Sequence, residues 1–254
     1  MRGKNFKVRF FIFLAVATFA FLRKCSQEEV NPYTGKKQAI SLSPDEEITI
    51  GLQSLPNMEQ QHGGLYPNEQ YQNFVDQVGH KLVNNSIAKT TPYQYDFHLL
   101  ADKNTINAFA LPGGQIFITY ALFSKLENED QLAGVLGHEI GHVLGKHSNE
   151  RITNANFWKV LAMGSSAIDL GSVAQQYGQG QLLKNGRGDE LESDDLGVKF
   201  MIDAGYNPEE MIGVMQILKT AAGPNRVPEF QSTHPDPENR IEKIKASIKK
   251  YRNQ

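Results

Sequence analysis

Apolar and polar positions divide this chain into clearly different stretches. Phe10 to Leu22 is a 13-residue apolar run preceded by Arg2, Lys4, Lys7 and Arg9. It is short for a membrane-spanning helix and suits the apolar region of an export signal. Asn31 to Leu42 is polar and turn-rich, the composition of a linker. Ser43-Pro44-Asp45-Glu46 then starts a helix: serine caps it, proline takes its first turn, and Glu46 completes a capping box. That helix is predicted to reach about Gln61 and stop at Gly63-Gly64. A second begins near Asn68 and carries Phe74, Val75, Val78, Leu82 and Val83 inward. His62 and His80 read as surface or cap residues without partners.

Two β-rich segments follow, Phe97 to Ala101 and Ile106 to Leu111, the latter joined by Pro112-Gly113-Gly114 to Gln115–Tyr120. Proline and paired glycines between such runs predict a hairpin, and hence a small antiparallel sheet. Its edge strand either holds an extended peptide by main-chain hydrogen bonds or simply covers the next helix. That helix starts at Asn128-Glu129-Asp130 and buries Leu132, Val135, Leu136, Ile140, Val143 and Leu144. Thr153 to Leu170 reads as helical. Gly171 to Gly188, rich in Gly and Gln, reads as a solvated loop or a lid. Further helices are predicted over Asp189–Ala204, from Asn207-Pro208 to about Lys219, and over Glu238–Tyr251, with a loop from Ala222 to Pro237.

Composition only sets bounds. With 40% hydrophobic residues, 21% charged and a net charge of −2, the chain is an ordinary globular one and gives no reason to expect nucleic acid. A domain of ~230 residues buries an adequate core by itself. The expected division is 1–24 as export signal or N-terminal anchor, 25–42 as linker and 43–254 as one domain, with no internal repeats. Cys25 is the only cysteine, so no internal disulfide forms. Its place after the apolar run resembles the acylated first residue of a bacterial lipoprotein. The pattern departs at Lys24, where a small residue belongs. Lipidation of Cys25 and an uncleaved anchor therefore stand side by side.

The chemistry concentrates at His138-Glu139-Ile140-Gly141-His142. Histidines at i and i+4 lie on one helix face and reach one metal ion, while Glu139 can hold a water at the metal and take its proton. The less specific reading is a buried helix whose histidines hydrogen-bond in the core. A third ligand decides between them. The extended HExxHxxGxxH pattern is matched at Gly145 but has Ser148 at its last histidine, and His147 reads as a residue favourable to a helix C-terminus. Glu190-Leu191-Glu192-Ser193-Asp194 offers a glutamate instead. Glu190, Asp194, Gly197 and Met201 share one helical row beside Leu191 and Val198, so they face inward. Glu192, Asp195, Lys199 and Asp203 form the polar stripe. Glu190 is thus the candidate ligand, and Asp194 can support a ligand histidine.

His138-Glu139-Ile140-Gly141-His142 with Glu190-xxx-Asp194 and Leu196-Gly197-Val198 resembles the HExxH zinc metallopeptidase family of the CaaX prenyl-protein protease and Oma-type proteases (metallopeptidase family forty-eight). The bacterial periplasmic, lipoprotein branch is matched further by Asn31-Pro32-Tyr33-Thr34-Gly35-Lys36, by Asn107-Ala108-Phe109-Ala110-Leu111-Pro112-Gly113-Gly114 and by Ser232-Thr233-His234-Pro235. The resemblance implies a mainly helical α+β, gluzincin-like zincin with a small antiparallel sheet beside the active-site helix. It implies one Zn2+ per chain on His138, His142 and Glu190, with Asp194 in support. It also brings His234 near the zinc, to stabilise an oxyanion or to latch the open position; otherwise His234 is a loop residue. Arg240 either holds that loop or is solvated.

The expected function is zinc-dependent endopeptidase action on misfolded or misassembled envelope proteins in the bacterial periplasm, with possible attachment to the outer membrane through Cys25. The rival class is a periplasmic chaperone or assembly factor using the same cleft with a latent protease. A structural zinc site is disfavoured, because it would be closed by a fourth Cys or His. Prenylated substrates are not expected, since multiple membrane spans are lacking.

Overall fold

The computed structural model describes residues 2–166, 171–221, 234 and 239–253. The chain divides into two compact units, Met1–Leu42 with Lys146–Gly186, and Ser43–Gly145 with Arg187–Gln254.

In the first unit, helix α1 (Arg2–Ser26) packs on α6 (His147–Ser166). The segment between α1 and Leu42 carries an antiparallel hairpin, β1 (Glu28–Val30) with β2 (Lys37–Ala39). Its turn is held by Asn31, whose side-chain oxygen accepts from the backbone of Tyr33 at 2.9 Å and Thr34 at 3.3 Å. Buried Asn149 of α6 accepts from the backbone of Ser41 and Leu42 and donates to the Leu42 carbonyl at 2.9 Å. Cys25 is exposed. Among the described residues no helix is long and apolar enough to cross a membrane.

The second unit begins with α2 (Pro44–Gln61), capped by Ser43 as its sequence predicts, and α3 (Glu69–Asn84), which starts where expected and is capped by the Asn68 side chain. A three-stranded sheet follows, of β3 (Asp96–Leu100), β4 (Ala108–Ala110) and β5 (Gln115–Thr119), in the order β3-β5-β4. β4 and β5 form the expected hairpin. β3 joins β5 in parallel, so the sheet is mixed. The physical reason is the crossover from Leu100 to Ala108, which lets β5 return beside β3 in the same direction. β5 and the inner residues of β3 are buried, as suits a strand paired on both sides and one packed beneath α3.

After the short α4 (Tyr120–Phe123) comes α5 (Glu129–Leu144), capped by the Asn128 side chain and almost wholly buried. Its apolar residues share the core with Phe97, Leu99, Ile116 and Ile118 of the sheet and Val198, Phe200 and Met201 of α7 (Gly171–Asp203). α8 (Glu210–Ala221) and α9 (Arg240–Arg252) complete the unit. The mainly helical α+β reading holds.

Three local expectations are corrected. Gly171 to Gly188 continues as α7 instead of forming a loop; the Gln, Leu and Ala among its glycines are good helix formers. His147 does not end α5. The chain turns at Gly145 and at Lys146, whose φ is 54°, and buried His147 begins α6. His62 does cap α2, but it and His80 have partners, Asp102 at 3.1 Å and Asp76 at 3.2 Å. The expected loop from Ala222 to Pro237 lies, His234 apart, outside the described residues, as do the expected helix end near Leu170 and start at Glu238.

Candidate metal centre

Helix α5 stacks His138 one turn before His142, and their Nε2 atoms stand 3.0 Å apart. Glu190 on α7 reaches between them: Oε2 is 3.3 Å from His138 Nε2 and Oε1 is 3.2 Å from His142 Nε2. That reach depends on the close approach of α5 and α7. A Cβ on Gly141 would stand 2.9 Å from Ser193 Cα, so only glycine admits this spacing. His234 arrives from the far end of the chain. Its Nδ1 is 3.1 Å from Glu190 Oε1 and 3.3 Å from His138 Nε2.

The four ligand atoms of His138, His142, Glu190 and His234 thus lie within 4.8 Å of one another, in residues at most 6% exposed. Three imidazole nitrogens and a carboxylate are a donor set that zinc accepts. The donor separations of 3.0–3.3 Å approach the edges, roughly 3.4 Å, of a tetrahedron with zinc bonds of about 2.0–2.1 Å. The residues fit the metal.

The histidine tautomers follow from their outer contacts. His138 Nδ1 lies 2.9 Å from Asp194 Oδ1, which places a proton there and turns Nε2 toward Glu190. His234 Nε2 donates to the Ala108 carbonyl of β4 at 3.1 Å, leaving Nδ1 as its ligating nitrogen. Glu139 is fully buried, with Oε1 3.5 Å from His234 Nε2.

Asp194 is itself gripped by Arg240, whose Nη2 also approaches Glu190 Oε2 at 3.4 Å. Arg240 is buried, which settles the question of its solvation. Behind it α9 is tied to α7 through Asp195, which accepts from Ser247, from Tyr251 at 2.7 Å and from Lys250 at 3.0 Å. Asp195 belongs to the polar stripe of α7, and the docking of α9 supplies its partners. The Asp194–Arg240 pair had no spacing signal of its own, because 45 residues separate them.

The electrostatics follow from this packing. Burial disfavours a charged His138, yet Asp194 and Glu190 outweigh it and raise the ring to about 10. Burial likewise pushes both carboxyls up, but Arg240 with His138 holds Asp194 below its usual range. The rings of His234, His138 and His142 hold Glu190 well below its own. The structure therefore brings together every predicted site residue: His138, Glu139, His142, Glu190, Asp194 and His234. Glu192 stays outside.

Residues 69–248 match Peptidase family M48. The chain is 27% identical over 228 residues to the Beta-barrel assembly-enhancing protease of Yersinia pestis, covering 84% of this chain and 46% of that protein. It is 32% identical over 184 residues to the protein of that name from Escherichia coli O157:H7, covering 66% and 37%. Against the Mitochondrial metalloendopeptidase OMA1 of Schizosaccharomyces pombe it is 29% identical over 175 residues, covering 67% and 51%. The chain spans about half or less of the length of these curated relatives. With the match extending over most of its length, the chain belongs to peptidase family M48, a family of metalloproteases.

Proposed function

We propose that this chain is a zinc-dependent endopeptidase that hydrolyses unfolded or misassembled proteins of the bacterial cell envelope. The observation that carries the reading is the convergence of four ligand atoms within 4.8 Å, with buried Glu139 beside them. His138, His142 and Glu190 would hold one Zn2+. When bound, the metal supplies Lewis acidity, which makes water more acidic and stabilises charge on a carbonyl oxygen. Glu139 accepts the proton of the attacking water and returns it to the leaving amine. Asp194 keeps the His138 proton on Nδ1, and Arg240 keeps Asp194 ionised. β4, an edge strand among the described residues, aligns an extended substrate.

His234 supports a latent resting state. Its ring fills the fourth donor position and at the same time takes the Ala108 carbonyl. This observation also favours the second reading, an envelope assembly factor that uses the cleft mainly to hold unfolded chains. The relatives' names, beta-barrel assembly-enhancing protease, support an envelope setting. Residues 1–24 would act there as export signal or anchor, 25–42 as linker and 43–254 as the peptidase domain, with Cys25 the lipidation candidate.

The test uses the purified full chain, measuring bound zinc and cleavage of denatured casein for wild type and Glu139→Gln. Zinc retained with cleavage lowered about 10²–10⁴-fold in Glu139→Gln supports hydrolysis with Glu139 as base. Bound zinc with no cleavage, even after His234→Ala, supports the assembly-factor reading. No zinc sinks both.

A further inference from the structure

The outer edge of β4 has a side wall. Thr119 donates to the Asn107 carbonyl at 3.0 Å and Leu111 to the Gln115 carbonyl at 2.8 Å, with Phe109 opposite Phe117 between them. Asn107, Phe109 and Leu111 therefore turn their main-chain groups to β5, and Ala108 and Ala110 turn theirs to the edge that no described strand pairs with. The Ala108 carbonyl confirms the direction by accepting from His234 outside the sheet.

With His234 withdrawn from the Ala108 carbonyl, a polypeptide added antiparallel along this edge, the slightly more stable pairing per residue, bonds to Ala108 and Ala110. One of its residues then stands opposite Phe109 in a non-hydrogen-bonded pair. In such pairs the Cα atoms are about 4.5 Å apart and side chains meet most closely. The Phe109 ring is braced for this contact. It stacks on Phe117 with centroids 4.8 Å apart, and Phe117 stacks on His98 at 4.7 Å. On another side the His62 ring lies 5.5 Å away. His62 is held through Nδ1 by Asp102 at 3.1 Å. Asp102 is fixed in turn by the backbone N–H groups of Asn104 at 2.8 Å and Thr105 at 3.0 Å. Three separate segments thus converge to hold one half-buried ring next to the carbonyl that accepts from His234.

We propose that Phe109, braced by His62 and Phe117, is a specificity-determining residue that selects a large apolar or aromatic side chain within about two residues of the cut. The inference rests on the endopeptidase reading above and deepens it. The substrate class it names is an extended, unfolded segment carrying such a residue; a folded core normally hides it.

The test is cleavage-site mapping by mass spectrometry on denatured casein. The full chain is compared as wild type, His234→Ala, Phe109→Ala, Phe109→Tyr and His62→Ala, followed by a peptide pair with Leu or Ala at the mapped position. Wild-type cuts are expected to be enriched in Phe, Tyr, Leu and Met at one fixed position, with kcat/KM about tenfold higher for the Leu peptide. Phe109→Ala loses that enrichment and brings the ratio near unity, Phe109→Tyr keeps both, and His62→Ala weakens both. Should Phe109→Ala fail to fold by circular dichroism, Phe109→Val carries the same expectation. Cleavage whose site preference ignores the residue at 109 overturns this inference alone. No cleavage by any of these proteins removes the endopeptidase reading, and this inference with it.

Discussion

Arg240 closes on both oxygens of Asp194, with Nε 2.7 Å from Oδ2 and Nη2 2.9 Å from Oδ1. Because Asp194 also holds His138 Nδ1, a cation on α9 acts through α7 on His138 of α5. Arg240→Ala leaves a buried carboxylate without its main counter-charge. Zinc affinity should fall about 10–100-fold. Thermal unfolding should report a loss of about 3–5 kcal/mol. Arg240→Lys should rescue only part of this, since an ammonium lacks the planar fork. Unchanged zinc affinity in a competition titration of Arg240→Ala would show the pair to be irrelevant to the metal.

His234 touches the donor cluster with one nitrogen and the edge strand with the other. Removing the ring frees both positions, so His234→Ala should cleave denatured casein faster than wild type and bind zinc more weakly. The competing role, stabilising an oxyanion, predicts the opposite: kcat lowered about 10²–10³-fold. Initial rates at saturating substrate separate the two.

Glycine positions on α5 and α7 should respond in opposite directions. At Gly141 a methyl group meets Ser193 backbone at 2.9 Å, so α7 must move and carry Glu190 with it. Gly141→Ala is expected to cost about 1–3 kcal/mol and to weaken zinc binding. At Gly188, also helical, an added Cβ meets nothing within 4 Å. Gly188→Ala should stabilise by about 0.5–1 kcal/mol, with zinc binding unaltered. Thermal melts with and without chelator read out both.

In the metal-free protein, pH should act from two sides. His138 is raised to about 10, so its stabilising contribution is complete below the ordinary histidine range and fades as pH climbs through about 10. Glu190 and Asp194 are lowered, so theirs is present above the ordinary carboxylate range and fades as pH falls through their depressed values. Chelator-treated protein should therefore be most stable between those limits. Zinc must also displace the His138 proton, so its affinity should rise about tenfold per pH unit below about 10. A dissociation constant constant from pH 6 to 9 would contradict this.

What the sequence revealed follows from how local each signal is. His138 and His142 are one helical turn apart, and the inward row Glu190-Asp194-Gly197-Met201 singles out Glu190 over Glu192; both arguments need only helix periodicity. Caps at Ser43, Asn68 and Asn128 are equally local. Features that depend on distant partners stayed hidden. Parallel pairing of β3 depends on where β5 returns, and Asp195 looks solvated until α9 docks on it. His147 changed helix because Lys146 adopts positive φ, a conformation its residue type does not advertise. Gly171–Gly188 is helical despite its glycines, because the residues between them favour helix.

β4 also has a colloidal consequence. An open strand edge accepts any extended chain, and a second copy of the same edge is such a chain. β4 limits this by being only three residues long. His234 limits it further by occupying the carbonyl of Ala108. On the latent reading proposed above, release of that ring to admit a substrate would expose the edge to self-pairing as well. Turnover and solubility would then be set against each other at a single peptide group.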